Sequence, residues 1–135
     1  MNKRSARSLY YVFSSGPVKV ERGVWRPNTD ICETETHVIV SLEVAGVLPE
    51  DINIMQYADR IVVRGVRRPE VEPGPKRYHQ IEIVCGEFEK EIVLSGPLRG
   101  APVEAALSLG VLSLRISKEA ALEAAVERSI PIEAQ

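Results

Sequence analysis

Apolar and polar side chains alternate with a period of two through the middle of this chain. Val38, Val40, Leu42 and Val44 fall on one face, with His37, Ser41 and Glu43 on the other; Ile39 is an exception on that second face. This spacing predicts a half-buried β-strand. Ala45-Gly46-Val47-Leu48-Pro49 breaks it, Ile52 and Ile54 begin the next strand, and Tyr57-Ala58-Asp59-Arg60 turns the chain into Ile61-Val62-Val63-Arg64, a hairpin. Arg67 to Lys76 holds three prolines and a glycine and reads as a long loop. A short run, Tyr78 to Val84, follows. Gly86 opens a strand with Phe88, Ile92 and Leu94 on one face and Glu87, Glu89 and Glu91 on the other. Beyond Ser95-Gly96-Pro97, a further strand carries Val103, Ala105, Leu107 and Leu109. Gly110 turns the chain into a last strand with Leu112, Leu114 and Ile116. About seven to eight short strands with no convincing helix imply an all-β fold, an immunoglobulin-like antiparallel β-sandwich.

The organisation is tripartite. Residues 1–24 form an arm that is basic and carries Tyr10, Tyr11 and Phe13, then loosens at Ser14-Ser15-Gly16-Pro17; residues 25–117 hold the strands; residues 118–135 are a tail. Glu119 to Arg128 has helix-forming composition. The tail ends in Ile130-Pro131-Ile132, two β-branched side chains about a proline. Proline resists both helix and central strand, so the tripeptide is extended in advance, with both isoleucines on one side. That is the shape of a plug for a groove at a sheet edge, linking subunits to one another; the alternative is a frayed terminus. A sandwich also has edges to cover. The short strand within Tyr78 to Ile81, on its proline-rich loop, could leave its own sheet for a neighbour's edge or remain an unpaired surface loop.

Composition narrows the class. A chain of 135 residues has room for one core with arms, and a formal charge of −2 gives no net basic field for nucleic acid. No apolar run is long enough for a membrane span or a secretory signal, although the basic, serine-containing start resembles a transit peptide in composition. Cys32 and Cys85 stand far apart in no metal spacing, which predicts reduced, buried thiols in a cytoplasmic protein. A thiol enzyme built from Cys32 or Cys85 with His37 or His79 lacks a third orienting group, and the same residues lack the close ligand pair of a zinc site. Gly65 and Gly74 sit in no phosphate-cradling pattern. The expectation is therefore a non-enzyme, with no cofactor and no metal.

Five motifs in order resemble the small heat-shock proteins, whose central module is the α-crystallin domain, of the bacterial and plant type. They are Trp25-Arg-Pro27-Asn-Thr-Asp30-Ile31-Cys-Glu33; Ala45-Gly46-Val47 followed by Glu50-Asp51-Ile52; Gly86-Glu-Phe88-Glu-Lys90; Ala105-Ala-Leu-Ser-Leu-Gly110-Val111-Leu112; and Ile130-Pro131-Ile132. Departures from the pattern are Ala45 for proline, Lys90 for arginine, Ser95 for proline and Leu109 for the turn asparagine. By parity Lys90 lies on the apolar face, where it either meets a carboxylate or snorkels out at the sheet margin.

The resemblance implies an ATP-independent holdase that binds partly unfolded client proteins, prevents their aggregation and passes them to ATP-dependent refolding chaperones. It implies client contacts in the arm, at Leu9, Tyr10, Tyr11, Val12 and Phe13. It implies docking of the Ile130, Pro131, Ile132 plug between strands of a neighbour carrying Ile52 and Ile54 and carrying Ala105 and Leu107. It further implies dimers by exchange of Tyr78, His79 and Gln80 against the partner's Trp25–Ile31 segment, and larger homo-oligomers through the tails. The alternative is a monomeric co-chaperone adaptor with the same sandwich, similar to the p23 family, which would lack both exchange strand and plug.

Overall fold

The structure, a computed structural model, describes residues 12, 13, 20, 21, 23–69, 72–119 and 127–135, the first four as backbone alone. Among the described residues twelve strands follow one another: β1 (Val12–Phe13), β2 (Val20–Glu21), β3 (Val24–Trp25), β4 (Thr29–Glu33), β5 (His37–Glu43), β6 (Ile52–Gln56), β7 (Arg60–Arg67), β8 (Gly86–Leu94), β9 (Val103–Ser108), β10 (Val111–Ser117), β11 (Arg128–Ser129) and β12 (Ile132–Ala134). They form two sheets. One runs β11-β6-β7-β8-β3-β2, with β1 on β8; the other runs β12-β9-β10-β5-β4. Most neighbours are antiparallel, and β3–β8 and β12–β9 are parallel. No α-helix occurs among the described residues.

The alternation expected from the sequence builds the core. Val38, Val40 and Leu42 of β5, Phe88, Ile92 and Leu94 of β8, and Leu112, Leu114 and Ile116 of β10 all point inward and are buried. The two inner faces meet as in any sandwich, each strand giving every second side chain to the interior. Trp25 and Phe88 pack at the β3 end, ring centroids 5.2 Å apart and tilted by 52°. Gly65 of β7 makes room for this pair: a Cβ there would lie 2.4 Å from the Phe88 ring and 2.6 Å from the Asp51 carbonyl oxygen. A side chain at that position must displace both.

Three sequence expectations are corrected and two open ones, at Lys90 and at Tyr78–Val84, are narrowed. Leu109 is not part of a strand face. With Gly110 it forms the two-residue turn between β9 and β10, at φ 52° beside 82°, and its side chain is 99% exposed. Both residues take the left-handed conformation that suits a tight hairpin, at a cost for leucine that asparagine largely avoids. Cys32 is exposed rather than buried, because strand parity in β4 turns it outward; Cys85 is half-buried ahead of β8, and neither forms a disulfide. Lys90 does not snorkel: it is 0% exposed. The Tyr78–Val84 run pairs with no strand among the described residues. Finally, the sheet recruits backbone from ahead of Trp25, where no strand was expected: β8 has an edge on which β3 covers one end and β1 the other, with Val12 opposite Leu94. The helix-forming stretch of the tail falls outside the described residues at 120–126, and Arg128 at its end is in a strand.

Candidate interaction sites: the tail groove and the exchange loop

The clearest candidate site is the groove between the sheet edges β6 and β9. The tail enters along β6, with Arg128 opposite Gln56 and Ser129 opposite Met55. The Ile130 amide then donates to the Ile54 carbonyl oxygen at 2.9 Å. Pro131, which has no N–H to offer, stands at the crossing between sheets. From there the tail joins the other sheet: Ile132 pairs with Ala105, Ala134 with Leu107, and the Gln135 amide donates to the Leu107 carbonyl oxygen at 2.9 Å. Ile130 is 6% exposed and belongs to the core, whereas Ile132 is half-buried against it. The structure thus brings the Ile-Pro-Ile segment together with Ile54, Ala105 and Leu107, all within one chain. Ile52 is buried further along β6.

Two residues that sequence reasoning missed hold the entrance. Gln56 is 1% exposed, and its Nε2 donates to the Ala101 carbonyl oxygen at 2.7 Å. Arg128 Nε donates to Gln56 Oε1 at 2.7 Å and its Nη2 to the same Ala101 oxygen at 2.9 Å. One signal was available: Gln56 falls on the inward parity of Ile52 and Ile54, where a polar group must find partners.

A second candidate site lies at the other end of the sandwich. Arg67 is stacked over Trp25, its Cζ 4.3 Å from the ring centroid. Its Nε and Nη2 donate to the Val84 carbonyl oxygen at 2.9 and 2.7 Å, and its Nη1 to that of Ala45 at 3.2 Å. Trp25 Nε1 donates to the Gly86 carbonyl oxygen at 3.0 Å. The returning end of the loop is therefore fastened to the core while the residues before it stand out: Tyr78, Ile81 and Ile83 are 59%, 72% and 77% exposed, and His79 and Gln80 are exposed beside them. At the loop's departing end, Arg68 makes a two-pronged contact with Asp51, with both N–O distances 3.1 Å. The Arg68 hydrogen bonds hold the Asp51 carboxyl below its ordinary range.

The exchange residues are not brought together in the single chain. Ile31 sits on β4, the last strand of its sheet, whose outer side carries no strand among the described residues. Trp25 is buried in the opposite sheet. Of the arm residues, Leu9, Tyr10 and Tyr11 lie outside the described residues, and Val12 and Phe13 are placed as the backbone of β1. Lys90 lies in the interior opposite Val63, its pKa lowered first by burial and then by the charge of Arg26. Among the described residues no group of three or more His, Cys, Asp or Glu could hold a metal ion. No helix among them is long and apolar enough to cross a membrane.

The Hsp20/alpha crystallin family profile matches residues 30–133. Small heat shock protein C2 of Rickettsia felis is 28% identical over 93 residues, covering 69% of this chain and 60% of that protein. Among solved structures, hspA from Xanthomonas axonopodis superposes with a TM-score of 0.63 at 29% identity, over 72% of this chain and 97% of that one. A small heat-shock protein from Xylella fastidiosa, described as having a distinct high order structure, gives 0.60 at 27% identity, over 72% and 89%. The chain spans about three-fifths of the length of the first curated relatives it matches. With the profile matching most of the chain, it belongs to the Hsp20/alpha crystallin family, the small heat shock proteins.

Proposed function

We propose that this protein is an ATP-independent chaperone, a holdase that binds partly unfolded proteins through apolar surface and keeps them from aggregating. The observation that carries the reading is the covering of an apolar groove by a terminal segment tied down through edge pairing and one buried isoleucine. Such a cover can leave without unfolding the sandwich, and its departure bares β6 and β9 edges together. Family membership supports the same role. In the assembled protein the tail of one subunit occupies a neighbour's groove with the contacts seen here within one chain. The loop around Tyr78, Ile81 and Ile83 pairs with the open edge of a partner's β4. Released clients pass to ATP-dependent refolding chaperones, and the Leu9–Phe13 cluster supplies adaptable client contacts.

The test is light scattering from a heated client enzyme, without ATP, at near-stoichiometric chaperone. The expected outcome is suppression by the wild type and weaker suppression when Tyr10, Tyr11 and Phe13 are replaced by serine at unchanged native mass. Scattering unaffected by excess wild-type protein would reject the holdase reading. Unchanged suppression by the triple variant would move client contact from the arm to the groove.

A further inference from the structure

Hydrophobic contact alone does not determine which residue of the tail enters the groove. Burial is non-directional, and Ile130 and Ile132 are identical side chains placed symmetrically about Pro131. A slip of the tail by two residues keeps strand parity and offers Ile132 to the pocket that Ile130 fills. The slip would move Pro131 onto the β6 pairing and put Ala134 where Ile132 packs, and it also changes the residue two positions ahead of the buried isoleucine. In the observed register it is Arg128; in the slipped register it would be Ile130.

The groove has a detector for that difference. The Ala101 carbonyl oxygen can only accept, so the Gln56 amide is held with its nitrogen toward Ala101 and its oxygen toward the tail. That oxygen, on a side chain 1% exposed, needs a donor, and Arg128 supplies it. The guanidinium also reaches the Ala101 oxygen, so two of its N–H groups meet two acceptors in a planar fork that lysine cannot reproduce. An isoleucine in the same place would leave the Gln56 oxygen without that donor.

We infer that Arg128, Gln56 and the Ala101 carbonyl form a polar clamp that fixes the register of tail docking, and that Arg128 selects this chain's own kind of tail. The occupant is the tail of this chain or of a second copy. The inference rests on the tail docking proposed above and adds the determinant that the Ile-Pro-Ile segment lacks. Both acceptors are neutral, so the clamp holds nearly equally at low and high salt, unlike a surface ion pair.

The test is amide hydrogen exchange in the full chain, read at Ile130 and Gln135, whose N–H groups report docking on β6 and β9 respectively. Arg128→Ala should speed exchange at both by about thirtyfold or more, the effect of losing two hydrogen bonds. Arg128→Lys should restore part of the protection. In a Gln56→Met background, a volume-conserving change, the Arg128→Ala effect should shrink severalfold. The effect should persist between about 0.05 and 0.5 M salt. The control is Ile130→Ala with Ile132→Ala. If the control exchanges fast and Arg128→Ala matches wild type, the clamp is wrong and docking stands. If the control also matches wild type, docking itself fails, and the clamp with it.

Discussion

Lys90 shows how much one side chain can be at odds with its surroundings. Strand parity sets it inward with Phe88 and Ile92, and the interior leaves it no exposure to water. Its pKa is lowered from 10.5, with burial the larger cause and Arg26 the smaller. A lowered lysine pKa means that, between the native value and 10.5, the unfolded chain carries a proton the native chain has released. Stability contributed by this group therefore rises with pH through that window. Chemical denaturation from about pH 7 to pH 10.5 should show this rise in the wild type and a flatter profile in Lys90→Met. Identical pH profiles would mean that Lys90 titrates alike in both states. The sequence placed Lys90 on the right face, because parity is local. It left the lysine's exit open, because whether a four-carbon stem reaches water depends on β7 and β3, which arrive from elsewhere in the chain.

At the scale of elements, the strands from His37 to Ser117 were legible because each is half-buried and each states its face by alternation. The strands β1, β2 and β11 were not, and of β12 only its extended start at Ile132 was. They are two or three residues long and exist because an edge is available to pair with, a property of the neighbouring strand rather than of their own sequence. The converse holds for Tyr78 to Val84, whose composition suits a strand but which pairs with no strand among the described residues. Likewise the tail groove was partly legible through Ala105 and Ile54, whereas the Gln56–Arg128 contact joins residues 72 apart in sequence. The exposed Ile81 and Ile83 give this scale its prediction. Replacing both by aspartate should leave unfolding stability within about 0.5 kcal/mol, as for ordinary surface sites. The same change should convert dimers to monomers in native mass measurements at micromolar concentration. Persistent dimers would place the subunit contact on some edge other than the one this loop reaches.

For the whole molecule, the decisive contact is the one that joins an edge of each sheet. Ile130→Ala with Ile132→Ala truncates one buried and one half-buried side chain, a loss of roughly 2–4 kcal/mol in transfer terms before association costs are subtracted. The expected outcome is collapse of the native mass toward dimers, and an unchanged mass at low micromolar concentration would show that other contacts hold the assembly. The crossing tail also makes docking equivalent to ligand binding by the folded sandwich. A ligand that binds only the native state raises its melting temperature by mass action. A tail from the same chain acts at a concentration set by its linker, whereas a tail from a neighbour is diluted along with the protein. In an assembly built on neighbouring tails, dispersal and loosening are then the same event: a subunit released by dilution or warming loses a brace across its two sheets at the moment it bares the groove between them.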